Sequence, residues 1–296
     1  MFKNLDVQGL GISGTESQII ESALSFGFKG IDLNMIEFAA AAKEQGLAKA
    51  RRLLDSARLK IASFRLPIDL QADDAAFNAE LGRVGELATL AKELGCERAV
   101  TTIAPANDER PYHQNFETHR QRLGELAKKL EPAGVRLGVG IDAAAERREG
   151  RAFQFMASYD ALQMLLGMVQ ASNLGVVLDA WDVWASGGSM ETFKRFAPST
   201  IVSVRLSDTT ESKEAGQWSS KSRTLPGVSG VIDSSAILGL LVDVGYDGPV
   251  TPLADNSQLP RGGREQVAKA AGHALDTAWK AAGLTPAGKR APAARS

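Results

Sequence analysis

Charged side chains close four short apolar runs in this chain: LGVGID (137–142), VVLDAWDVWASGG (176–188), IVSVRLSD (201–208) and GYDGPVTPLAD (245–255). Carboxylates gathered at one end of buried strands can hold a hard cation through oxygen or move protons to and from a substrate. Alternation along a strand puts Asp142 on the side of Gly140, and Asp255 on the side of Leu253, each about 6–7 Å further along. With Asp179 and Asp182 they make a candidate acidic ring for a divalent cation. The plainer alternative is that such acids cap helices or stay solvated in loops. Arg205 offers different chemistry, because a guanidinium only donates hydrogen bonds and does not deprotonate. Paired with Asp179 it would stand where a cation could, leaving a dry pocket for a sugar or an anionic ligand, or plugging the site as a salt bridge.

The elements that must position these residues follow from periodicity. Apolar runs at 6–12, 29–33, 59–64, 97–103, 135–141, 174–179, 200–206 and 249–253 predict eight strands. Between them, helical spacing recurs in Leu81, Val84, Leu87, Ala91 and Leu94, in Phe116, Leu123, Leu126 and Leu130, and in Ala236, Leu240 and Val244. Gly27, Gly95, Gly134 and Gly245 stand where a helix should stop before the next strand. Eight βα units closing on themselves predict a single (β/α)8 TIM barrel over 1–282, with its site at the C-terminal ends of the strands. An open doubly wound sheet is disfavoured, because the glycines of GLGISGTES have the wrong spacing for a dinucleotide-binding turn. The segment 283–296, LTPAGKRAPAARS from Leu284 onward, lacks periodicity and reads as a disordered basic tail.

The chain has 296 residues with 44% hydrophobic and 23% charged side chains, the balance of a globular protein with a sizeable core. Lys and Arg total 34 against 35 Asp and Glu, so no overall field would draw it to nucleic acid or to a membrane surface. Cys96 is the one cysteine, which excludes an internal disulfide; its setting AKELGCERAVTT predicts core packing. With no apolar leader and no bilayer-length run, a cytoplasmic location is the expectation.

Taken in order, KIASFRLP (60–67), NDERPYHQNFETHR (107–120), RTLPGVSGVID (223–233) and GYDGPVTP (245–252), together with the four strand-end segments, resemble the sugar phosphate isomerase/epimerase family of xylose-isomerase-like barrels. That resemblance implies one divalent cation held by a Glu on strand five, an Asp on strand six, a His or Gln on strand seven and a Glu on strand eight. Those places hold Gly140, Asp179, Arg205 and Leu253. Where the family often has a His three residues after the strand-six Asp, this chain has Asp182, and Val228 replaces an acidic residue of the LPG loop. Asp208 and Arg223 match the family, the latter resembling a residue that contacts substrate oxygens. The resemblance also brings Tyr112 and His113 of the fourth loop towards the pocket.

These residues lead to a barrel whose usual metal site is lost and whose partner is a small carbohydrate or similar polyol, the protein acting as a degenerate sugar-binding or regulatory homologue. The candidate catalytic residues are Asp179, Asp182 and Arg205; Asp142, Asp208, Arg223, Trp181, His113 and Asp255 are candidates for substrate contact. No cofactor is expected unless Asp142, Asp179 and Asp255 form a shifted metal site. An active isomerase, epimerase or related proton-abstracting enzyme with a rebuilt aspartate/arginine site is the alternative, and an interaction module using the barrel exterior a third. Trp181, Trp184 and Phe64 are aromatics for a sugar face or for the core, and neither oligomeric state nor substrate is legible.

Overall fold

A computed structural model describes residues 1–291. Eight parallel strands close into a barrel: β1 (Phe2–Leu5), β2 (Gly30–Leu33), β3 (Lys60–Arg65), β4 (Arg98–Ile103), β5 (Arg136–Ile141), β6 (Leu174–Asp179), β7 (Ile201–Leu206) and β8 (Pro249–Pro252). Each strand pairs with its sequence neighbours and β8 returns to β1, with Phe2 opposite Pro249 and Lys3 opposite Val250. Closure leaves the barrel strands described no free edge, and helices cover the outside.

The helices begin where the sequence offers caps. Thr15 and Gln18 form a capping box for Glu16–Ser25; Asp73 and Ser158 cap Asp74–Glu93 and Tyr159–Met168 with their side-chain oxygens. Gly27 and Gly134 end their turns with φ of 79° and 71°, left-handed backbone that a side chain would strain. In the helix Ser234–Asp243 the buried stripe is Ser234, Ile237, Leu238 and Leu241, one position away from the predicted Ala236, Leu240 and Val244, and Val244 is 41% exposed. Two interleaved apolar stripes occupy that helix, and tertiary packing selects between them.

Strand positions follow the sequence closely except at the start. The run 6–12 is a turn after β1, in which Leu10 and Ile12 are buried but the backbone reverses through Leu10 N–H to Asp6 O and Ile12 N–H to Val7 O. Residues 283–291 are structured, unlike the tail expected there. Leu284 bridges Arg290, Ala291 N–H donates to Gly283 O, and the Arg290 guanidinium grips Asp243 at 2.7 Å. One turn and one well-placed arginine order a segment whose composition alone reads as unstructured; residues 292–296 lie outside the described residues. Cys96 is buried at the start of β4, with its thiol pushed up to about 12 by burial, as suits an inert core residue. Among the described residues no helix is long and apolar enough to cross a membrane.

Candidate functional site

The mouth of the barrel lies at the C-terminal ends of the strands, and two groups of polar residues line it. The first belongs to β6. Asp179 ends that strand and at once caps the short helix Ala180–Ala185, accepting the N–H groups of Trp181 (3.0 Å) and Asp182 (3.4 Å). The Tyr159 hydroxyl fixes this corner by accepting Asp179 N–H and donating to Val177 O. Asp182, one turn on, accepts the N–H of Ala143 at 2.9 Å, tying the end of β5 to β6.

The cation that answers these acids is Arg223, not Arg205. Its two guanidinium nitrogens reach Asp179 at 2.8 Å and Asp182 at 3.1 Å, and its Cζ lies 4.6 Å from the centre of the Trp181 ring. The pairing Arg223–Thr224 with Asp208–Thr209 delivers this arginine, and Asp255 N–H holds its carbonyl. Three buried charges sum to minus one, so one carboxyl is driven towards protonation. For Asp182 burial pushes its pKa up, Arg223 pulls it down and Asp179 pushes it up again, with a net rise.

The other predicted residues fall into less reactive places. Trp181 is fully buried between Arg223 and Trp218, so its face is not open for a sugar; Phe64 is core, and Trp184 packs on Phe193. Asp208 has its oxygens taken by Ser229, Gly230, Ile232 and Thr209. Burial opposes its ionisation, but the Ser229 hydroxyl and the backbone N–H groups outweigh it and hold Asp208 below the usual carboxylate range. It is the anchor of the loop after β7. Asp255 caps the turn Asn256–Gln258, and Asp142 accepts Ala144 N–H with Arg147 at 3.4 Å. The acidic ring therefore does not converge, and among the described residues no three metal-ligating side chains come together. His113 and His273 are exposed on helices; His119 is buried on Phe155, its ring kept neutral by a pKa lowered to about 4 by burial.

A second group, of which only Arg205 belongs to the predicted set, lines the rest of the mouth. Asn4, Thr251 and Asp32 form a chain of hydrogen bonds at 3.0 Å each, and Ser63 donates to the same Asp32 Oδ1 at 2.7 Å. Asp6 stands just past β1 with Gly9 N–H on Oδ1, and Arg65, at the end of β3, approaches its Oδ2 only to 3.9 Å. Arg205 is in register with Asp179 on one side and Thr251 on the other, so its side chain shares their inward face. No carboxylate comes within ion-pair distance of it among the described residues. Burial and the neighbouring Asp6 charge push Asp32 up to about 7, against the hydrogen bonds of Ser63 and Asn4 and the field of Arg205. The expected Arg205–Asp179 pair is thus replaced by a free Arg205 between two walls. Strand phase applied to β1 and β2 would have found Asp32; the misplaced first strand hid Asp6.

Leu253 fills the space beside Asp6, near enough that a Cβ on Gly9 would meet both. Gly140 and Leu253 carry no donor, Arg205 carries only N–H groups, and Asp179 is engaged by Arg223, so these residues do not fit a divalent cation at the place the resemblance implies. Cavities of about 400 Å³ beside Asp32 and about 550 Å³ beside Asp142 flank the mouth.

Comparison with known proteins places this geometry. A family model described as a xylose isomerase-like TIM barrel matches residues 20–277. The chain is similar to an inosose isomerase of Bacillus licheniformis, 30% identical over 129 residues, a stretch covering 44% of this chain and 43% of that protein. Its fold superposes on a xylose isomerase domain protein from Alicyclobacillus acidocaldarius with a TM-score of 0.82 at 24% identity, covering 95% of this chain and 99% of the other. A D-psicose 3-epimerase from Clostridium cellulolyticum H10, solved with D-tagatose, gives 0.69 at 13% identity, covering 95% and 99%.

Proposed function

From the premise that the chain belongs to the xylose isomerase-like TIM-barrel family, we propose that it binds a small polyol in the barrel mouth without the metal-dependent isomerisation that the resemblance implies. The observation that carries this reading is the Arg223 guanidinium bridging Asp179 and Asp182 over Trp181. A fixed charge with no open coordination position now answers the one ligand-type residue of the four strand ends. What remains towards solvent is the Asp32 carboxyl on β2 and the Arg65 and Arg205 guanidinium groups on β3 and β7, backed by the buried Asn4, Ser63 and Thr251 and suited to the oxygens of a polyhydroxylated molecule.

The test is direct. Protein equilibrated with Mn²⁺ and desalted should retain far less than one metal per chain and should not epimerise ketoses, while polyols should raise its melting temperature. Stoichiometric Mn²⁺ together with ketose epimerisation would sink the proposal.

A second reading rests on Asp32. A carboxyl poised near neutrality opposite an unpaired guanidinium suits metal-independent proton transfer beside a carbonyl. Asp32 would take the proton from the carbon while Arg205 holds the enolate oxygen that forms, and the proton would return to the same or the neighbouring carbon. Incubation of ketoses with the protein in D₂O should then give deuterium at that carbon by NMR, and Asp32→Asn should stop it. Absence of exchange across aldoses, ketoses and inososes excludes this chemistry.

A further inference from the structure

The arginines around the mouth differ in what they have left to offer. Arg223 spends both ends on Asp179 and Asp182, and Arg151 pairs with Asp108 at 2.5 Å. Arg147 faces Asp142 at 3.4 Å, Arg110 donates to the carbonyls of Gln71 and Ala72, and Arg148 donates to that of Gly216. Arg205 and Arg65 stand apart from these. Arg205 has no ion-pair or hydrogen-bond partner among the described residues. Arg65, with its side chain 59% exposed, touches an acid only at 3.9 Å. Both end on the inward face of their strands, Arg65 in phase with Ser63 and Arg205 in register with Thr251 and Asp179.

A guanidinium half-sheltered from water and without an acceptor is a costly arrangement unless something supplies that acceptor. The carboxylates nearby do not, because Asp6 and Asp32 are committed in part to Gly9 N–H, Asn4 and Ser63. Asp32 keeps its Oδ2 without a partner among the described residues. Two opposite strands thus offer fixed positive charge, Arg65 on β3 and Arg205 on β7, and β2 offers a carboxyl oxygen with no partner among the described residues.

We propose that the ligand of this mouth is an anionic polyol, its carboxylate or phosphate held by Arg205 and its hydroxyl groups by Asp32. The inference rests on the polyol-binding reading given above and narrows its ligand to one charge class. A bidentate guanidinium contact is the geometry that planar carboxylates and phosphates accept best. Because Arg205 lies inside the mouth, the preference for an anion survives physiological salt, unlike attraction to an exposed patch.

Three probes of similar carbon skeleton separate the possibilities by calorimetric titration: D-glucitol, D-gluconate and D-glucitol 6-phosphate, in buffer containing 0.15 M NaCl. At least one anion should bind ten-fold or more tightly than D-glucitol, and whichever does identifies carboxylate or phosphate as the recognised group. In Arg205→Met that ratio should fall to about one, and Arg205→Lys should keep part of it, with both variants checked for a native circular dichroism spectrum. If Arg205→Met fails to fold, a partial fall of the ratio in Arg205→Lys carries the same test, and an unchanged ratio there overturns the inference. D-Glucitol binding as tightly as both anions, or an unchanged ratio in Arg205→Met, overturns the inference and leaves the polyol reading standing. Failure of all three probes to bind overturns both.

Discussion

On the β5–β6 side of the mouth Arg223 meets Asp179 and Asp182 at 2.8 and 3.1 Å, whereas on the β1–β3 side Arg65 reaches Asp6 only at 3.9 Å, and Arg205, on β7, meets no carboxylate among the described residues. Both sides hold two acids, and they use them differently. Where a guanidinium is buried over an aromatic ring and answered twice, the group is structural: it fixes the loop after β7 to the end of β6. Where Arg65 meets Asp6 only at 3.9 Å and Arg205 meets no acid among the described residues, the capacity of these groups for hydrogen bonding is left for a ligand.

The comparison is broken or kept most decisively by removing each arginine. Arg223→Met strands two buried carboxylates, and breaking a buried pair in this way costs about 3–5 kcal/mol. Urea denaturation at pH 7 should show a loss of that size, shrinking at pH 4 as Asp182 protonates. Arg205→Met should cost less than about 1 kcal/mol, since no internal partner is lost. Equal losses from the two substitutions would abolish the distinction between a locked side and an open one.

How the two sides came to be read so unequally lies in what sequence encodes locally. β6 was legible to its ends at 174–179 because a run of apolar residues closed by Asp is a local pattern. The partner of Asp179 was not, because Arg223 arrives through a two-residue pairing with Asp208–Thr209, a long-range contact with no periodic signature. Strand phase favours Arg205, which does face inward but finds no acid among the described residues. It failed for Asp142 and Asp255, since both lie past the strand ends where the backbone turns to cap the next element. At the other wall the apolar letters of VQGLGI outweigh their glycines, so the predicted strand starts four residues late and Asp6 opens it instead of standing just past its end.

The open side is sharpened by pH. Asp32 carries a folded pKa near 7, raised above its unfolded value of 3.8, so the folded state holds its proton more tightly. The corresponding stability is fully present below about pH 4 and is lost as pH rises through 7. Asp32→Asn, which cannot ionise, should therefore match the wild type near pH 4. By pH 8 it should exceed the wild type by on the order of 2 kcal/mol, after allowance for screening at a half-buried site. Thermal melts of the two proteins across that range make the check. Parallel curves would mean that Asp32 is ionised as easily as a surface acid and that the open side holds no poised carboxyl.

The smallest effect concerns whether crowding removed the donor from strand five. A Cβ on Gly138 would lie 2.8 Å from Val202 Cβ and 3.0 Å from a Val177 methyl, distances that force a shift, whereas on Gly140 it would meet Val177 at 3.5 Å and Thr102 Oγ1 at 3.8 Å, ordinary contacts. Gly138→Ala should cost about 1–3 kcal/mol as overpacking, and Gly140→Ala should stay within about 0.5 kcal/mol of wild type. If Gly140→Ala is as harmful as Gly138→Ala, the strand-five wall is closed to any side chain and the missing donor reflects packing. If the two differ as expected, β5 has space for a side chain where the resemblance calls for a Glu. The absence of a ligand there is then a matter of chemistry, and the locked side keeps its cation in Arg223 although the barrel does not forbid a carboxylate opposite it.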